Sequence, residues 1–433
     1  MVNKKRFVRR IAALGAVALV ATGLAACSSS SSNTPTAGKN ILIGMNSGLV
    51  PQFERYAKDF EKTHKNFTVT VKAVPDVQAD YIQQLVTQGL SKSLPDIVFN
   101  YDTLNQTLNA SHLLYDIKPW LDSGRDGLKG SSFESNFLDQ YKVGNTITGI
   151  PVSADTGVVG VNETIFKKYN VPVPTKDWTL DDMYKAAKQI TDASAGSVYG
   201  LQTPLGDGSA LFTFYPTLKG YDSNLYDPST KKFIFANDGG IKAWTQLLAP
   251  YTQKFGSPYS LADKATNLFA SGQVAMATGS TAGVANWRAT VKDDWDLLPF
   301  PSQSGKSTTG GGSYSLSISA KSDNKEGAYQ FMSWFYSTNG GMKAAQSDGV
   351  IPATSDGIAN GTWLTQAPPV PKSFVDTVKY SVSKAVLPNT IPDAVQPKVV
   401  PALQQALQQV LLKGVSIKQA YTDAQDQLNG LLK

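Results

Sequence analysis

The sequence predicts an α/β fold on open sheets, and three observations carry that reading. Between residues 41 and 99, short apolar strands alternate with helical segments in the order strand, helix, strand, helix, strand. Longer helical segments near residues 180–190, 239–254 and 325–336 continue the rhythm. The length of 433 residues with 41% hydrophobic content allows two large lobes or three smaller units, each with a core of its own.

The chain opens with Lys4, Lys5, Arg6, Arg9 and Arg10, followed by an apolar run over 11–26 with a single Thr. That run is short for a membrane span and has the length of a signal-peptide core. Residues 1–26 are therefore read as a signal. Leu24-Ala25-Ala26-Cys27 closes it and resembles the lipobox of bacterial lipoproteins, in which the chain is cut before a cysteine that then carries lipid. Cys27 is the sole cysteine, so it has no disulfide partner in the chain. Residues 28–40, SSSSSNTPTAGKN, cannot bury a core; with Cys27 they make a flexible tether over 27–40.

Each element of the body has its own signal. Ile41-Leu42-Ile43-Gly44 is a short apolar strand that runs into a loop over 45–50. Pro51 opens a helix with Phe53, Tyr56 and Phe60 on one face. Residues 67–74 alternate like a strand, 81–89 read as a helix, and 94–99 as a strand entering a loop over 100–105. Ligands in open α/β sheets sit beyond the carboxyl ends of strands, which points to loops 45–50 and 100–105. The tail, 401–413 and 417–432, gives two amphipathic helices. Leu403, Ala406, Leu407, Val410 and Leu411 line one face of the first, as a packing stripe would.

Charge and chemistry exclude several functions. Forty Lys and Arg oppose 34 Asp and Glu, a formal charge of +6. Five of those bases sit in the signal, leaving 35 against 34 in a nearly neutral mature chain. A nucleic-acid surface needs clustered cations, so no nucleic-acid partner is expected. His64 and His112 are isolated, and no metal set, Cys-His pair or Ser-His-Asp arrangement is legible. Gly310-Gly311-Gly312 and Ser304-Gly305-Lys306-Ser307 lack P-loop spacing. The five glutamates, at 54, 61, 134, 163 and 326, show no glycosidase context. The chain is expected to be no enzyme, with no cofactor and no metal.

Several ordered segments resemble the solute-binding lipoproteins of ABC importers, specifically the carbohydrate family that includes maltodextrin-binding proteins. Leu94-Pro95-Asp96-Ile97-Val98-Phe99, with Leu113-Leu114 and Ile117, resembles that family's "PD-strand, then G-L-L" segment. Gly149-Ile150-Pro151-Val152-Ser153-Ala154-Asp155-Thr156, then Val161-Asn162 and Phe166, resembles its "G-I-P … Y-N … F" crossing. Trp178-Thr179 fits its "T-W" entry to a helix, and the 269–276 run with Gly279-Ser280 its "F-x-x-G-x-x-A-M-x-x-x-G". Gly312-Ser313-Tyr314 through Ile318, Lys325-Glu326 and Ile351-Pro352 follow its "G-G-W … I … N-K-E-A … I-P" stretch.

The resemblance implies a type II, two-lobed periplasmic-binding-protein-like fold with discontinuous lobes joined by a hinge. Lobe 1 is expected over 41–151 and 318–352, lobe 2 over 152–317 and 353–433. The implied function is capture of a sugar, an oligosaccharide, by a monomeric receptor held by lipid at the extracytoplasmic face of the bacterial membrane. It would pass the sugar to ABC permease subunits. The rivals are a binder of a polyol or glycerol phosphate ester, an extracellular glycoside hydrolase, and a structural surface lipoprotein.

A sugar asks for polar groups at its hydroxyl rim and rings against its C–H faces. Asp155 matches an acidic position in the family's crossing, with turn capping as the competing role. Tyr101 and Asp102 follow the 94–99 strand, with a helix cap as the rival for Asp102. Asn46 and Ser47 occupy the first strand's loop, where turn chemistry competes. Tyr314 aligns with a frequent family tryptophan, beside Ser313 and a Gly312 that lets backbone approach. After Ser280 the family often has another tryptophan; Thr281 stands there, and Trp287 is the substitute, against plain packing. Gln202 completes the set.

Overall fold

The computed structural model describes residues 40–75, 78–91, 93–202, 205, 211–259, 267–302, 309–360, 371–389, 391–392 and 395–432. The expected signal, Cys27, all but the last residue of the tether and the 304–307 tract lie outside the described residues. Asn40, the last tether position, already belongs to the first strand.

Two mixed sheets organise the body. In the first, the strands run in the order Thr68–Val74, Asn40–Asn46, Ile97–Tyr101, Tyr314–Ile318 and Ile150–Pro151. The first three are parallel, and Tyr314–Ile318 runs antiparallel to Ile97–Tyr101. The helix Val50–Thr63 buries Phe53, Tyr56 and Phe60, the stripe read in sequence. Its rings meet those of the helix Lys325–Tyr336, with Phe53 and Phe335 stacked at 5.6 Å. His64 caps the first of these helices and stacks on Phe60 at 4.1 Å, a packing role.

In the second sheet Asp155–Asn162 is central, flanked by Val274–Ser280, Trp295–Pro299 and Thr309–Gly312. Tyr199–Gln202 and Ala385–Val386 form the edges. The "T-W" tract becomes the start of the helix Leu180–Ala193. The Thr179 side chain accepts the Asp182 amide while Asp182 accepts the Thr179 amide, a reciprocal capping box. The indole of Trp178 donates to the Pro299 carbonyl at 2.9 Å, tying that start to the sheet. A separate helical core gathers Tyr215, Leu247, Leu403 and Leu407, with Trp244 stacked on Tyr421 at 4.1 Å. Its closing hairpin, Gln396–Lys413 and Ile417–Gly430, turns at Gly414, whose φ of 70° caps the first helix.

The chain crosses between the sheets at three places that lie side by side. Asp155 pairs with Gly312, and the Val152 amide donates to the Tyr314 carbonyl at 2.8 Å. Ala154 donates to Ile351 at 2.9 Å, and Ser153 bridges Pro352. By Tyr314 the chain is already back in the first sheet, four residues before Ile318. This is a two-lobed α/β architecture with each sheet assembled from distant stretches of sequence.

Candidate ligand cleft

The crossings gather most of the residues singled out in the sequence. At the end of the first strand, the Asn46 side chain accepts the Gly48 amide at 3.0 Å and its Nδ2 donates to Tyr101 Oη at 3.4 Å. Ser47 follows, exposed, in a short 3-10 turn. Tyr101 lies opposite Tyr314 in the antiparallel ladder, and both rings contact Phe99, at 4.6 and 5.2 Å. These rings form a half-buried aromatic step at the carboxyl end of the first sheet.

Asp102 comes next, and each oxygen of its carboxylate accepts a backbone amide. Oδ1 accepts the Thr103 amide at 2.7 Å and Oδ2 the Ser313 amide at 2.9 Å. Burial pushes its pKa up to about 6; the two amides pull the other way, and the charge of Asp155 adds to the rise. Asp102 is thus electrostatically coupled to the carboxylate on the other side of the crossing.

That partner, Asp155, starts the central strand of the second sheet. Its Oδ1 accepts the Thr281 hydroxyl at 2.5 Å and the Ala282 amide at 2.8 Å. The Ser280 hydroxyl is a further partner, and burial again raises the pKa. Thr281 therefore has a specific use where the family often has tryptophan. It donates to Asp155 and accepts the Thr156 amide at 3.0 Å, fixing the turn after Val274–Ser280.

Two candidates stand apart. Trp287 lies flat on the second sheet, against Gly160 and Gly279, and contacts Phe269 at 5.1 Å and Trp295 at 6.2 Å. Those contacts are packing. Gln202 ends an edge strand beside Ala277, three positions short of Ser280 in the neighbouring strand.

A pocket opens where the lobes face each other, with residues the sequence did not announce. Asp102, Thr103 and Gln140 line one side. Asn389, Gln396, Leu225, Ile391, Val399 and Val400 line the other, with Pro388. A carboxylate and an amide on one side face two amides set among aliphatic side chains on the other, and no cation lines the pocket among the described residues. Such a lining suits a neutral solute with hydrogen-bonding edges and apolar faces. Gln140, Asn389 and Gln396 carry no sequence motif; they arrive through the docking of a loop and a distant helix.

A model of the bacterial extracellular solute-binding protein family matches residues 55–372, well over half the chain. The chain belongs to that family. Membership places this solute-binding protein outside the cytoplasm, and no helix among the described residues is long and apolar enough to cross a membrane. It is 24% identical over 373 residues to the multiple sugar-binding protein of Streptococcus mutans, covering 79% of this chain and 82% of that one. It is also 24% identical over 300 residues to the maltodextrin-binding protein MdxE of Bacillus subtilis, 67% of each. Among solved structures, the ABC substrate-binding protein Lmo0181 of Listeria monocytogenes, in complex with cycloalternan, superposes with a TM-score of 0.76. That match is 22% identical and covers 90% of this chain and 98% of that one; it is a likeness of fold.

Proposed function

We propose that this solute-binding protein captures a sugar, an oligosaccharide, between its lobes and delivers it to an ABC permease. The interlobe pocket carries the reading. It combines a carboxylate and three amides with aliphatic side chains, and Tyr101 and Tyr314, outside its lining, offer rings on which a sugar can stack. Among the described residues its lining holds no Lys or Arg of the kind a phosphate ester would need. Asp102 and Asp155 are occupied by donors from their own surroundings, which favours binding over acid–base chemistry.

In this reading lobe 1 joins the chain before the first crossing to the Tyr314–Pro352 stretch, and lobe 2 holds the remainder. Asn46, Tyr101, Asp102, Tyr314, Gln140, Asn389 and Gln396 face the ligand, and Trp287 supports lobe 2. Cys27 carries lipid and 28–39 tethers a monomeric body to the outer face of the membrane.

The test is a carbohydrate panel read by thermal shift on the purified protein, followed by calorimetry and recovery of the sugar by chromatography. A ligand at a hundred times its Kd adds about 2.7 kcal/mol of stability, a readable shift. A maltodextrin or other oligosaccharide that stabilises the protein and is recovered intact is the expected result. No response across the panel, or a cleaved sugar, overturns the reading.

A further inference from the structure

We propose that Ser313 is the pivot of lobe closure: Asp102 and Tyr141 fasten it to the first sheet, confining rotation to the backbone on its Gly312 side. Ser313 belongs to neither flanking strand. Gly312 ends the strand that pairs with Asp155 in the second sheet, and Tyr314 begins the strand that pairs with Tyr101 in the first.

Three polar atoms of Ser313 are held from the first-sheet side. Its amide donates to Asp102 Oδ2 at 2.9 Å, and its carbonyl accepts the Asp102 amide at 3.3 Å. Its hydroxyl shares a hydrogen bond with Tyr141 Oη at 2.8 Å. The clamps are themselves fixed. Tyr141 is fully buried, its carbonyl accepts the Thr148 amide at 3.0 Å, and its ring packs where a Cβ on Gly149 would lie 2.8 Å away.

The far side is anchored equally well, because Asp155 is bound to the Thr281 turn. Between two fixed ends the free torsions are those of Gly312, a residue without the side-chain restrictions that limit others. The other two crossings carry Pro151 and Pro352, whose rings fix φ. Hinges concentrate their dihedral change in a few such positions. Held this way, the unliganded lobes sample a narrow arc, and a ligand finds its closed form in a larger fraction of molecules.

The proposal rests on the receptor reading for the ligand that drives closure, so the test also reads the unliganded protein. Full-length chain carrying Cys27→Ser is spin-labelled at Lys65→Cys and Lys418→Cys, two exposed sites, one just after the Val50–Thr63 helix beside the first sheet and one on the closing Ile417–Gly430 helix of the second lobe. Pulsed electron resonance then gives the distribution of distances, with and without maltotetraose as probe. Ser313→Ala and Tyr141→Phe are expected to broaden the unliganded distribution about twofold, and to weaken maltotetraose about fivefold where the parent binds it, the scale of one neutral hydrogen bond. Gly160→Ala, which disturbs packing far from the crossing, is expected to leave the width alone. Parental widths in both hydroxyl variants, or equal broadening in Gly160→Ala, overturn the pivot. A parent that ignores maltotetraose and every other sugar counts against the receptor reading, while the unliganded widths still decide the pivot.

Discussion

Asp102 accepts the backbone amide of Ser313 at 2.9 Å, joining positions 211 residues apart. The bond sets a carboxylate at the end of one strand against the backbone of a crossing, with Asp155 close enough to raise its pKa. Stability, affinity and lobe motion meet at this contact.

Stability should depend on the protonation of Asp102. Its folded pKa of about 6 lies above the ordinary 3.8, so folding takes up a proton between those values. The stabilisation from this group is complete below the ordinary value and is lost as pH rises through about 6. On moving from neutral pH to pH 5, the parent protein should therefore gain thermal stability relative to Asp102→Asn. Melting curves of the two proteins across that range check it; parallel curves would contradict the raised pKa.

Tyr314→Ala removes the ring opposite Tyr101. Affinity for the captured sugar should fall about tenfold, the equivalent of one stacked ring. Tyr314→Phe keeps the ring and should retain most of the affinity. Titration calorimetry on both variants separates ring from hydroxyl, and unchanged affinity in the alanine variant would remove Tyr314 from the site.

Trp287 should behave oppositely. Its ring packs on Gly160 and Gly279 between Phe269 and Trp295. Trp287→Ala should cost about 3 kcal/mol of stability while leaving affinity nearly unchanged. Chemical denaturation beside calorimetry reads both, and a large affinity loss without destabilisation would restore a ligand role.

Gly200 is the tightest test of how the second sheet meets its helix. A Cβ there would stand 2.0 Å from the Ala187 carbonyl oxygen, inside backbone that cannot step aside. Gly200 also donates its amide to Phe255 at 3.0 Å, so its strand is pinned as well. Gly200→Ala should destabilise by about 3 kcal/mol, the upper end of overpacking costs. Gly160→Ala, where the neighbours are ring edges at 2.9 Å, should cost less. Denaturation midpoints rank the two.

What the sequence by itself determined is whatever depends on neighbours along the chain. The stripe Phe53, Tyr56, Phe60 follows from helical spacing, and the helix entry read at Trp178-Thr179 from its local pattern; both are in place. The ordered motifs pointed to crossings near Pro151 and Pro352, and Ser153 and Pro352 do meet, whereas the return expected near Ile318 comes earlier, at Tyr314. Tertiary structure alone decided which role each residue plays there. Asp155 and Thr281 bind each other across 126 positions, and Tyr314 joins the first sheet through its register with Tyr101. Trp287 packs, and Gln140, Asn389 and Gln396 line the pocket. Periodicity and motif record what a residue does within a turn or two of its own backbone. A carboxylate's hydrogen-bond partner, its pKa and the wall it faces are set by segments hundreds of residues away, and only the folded chain brings those segments together.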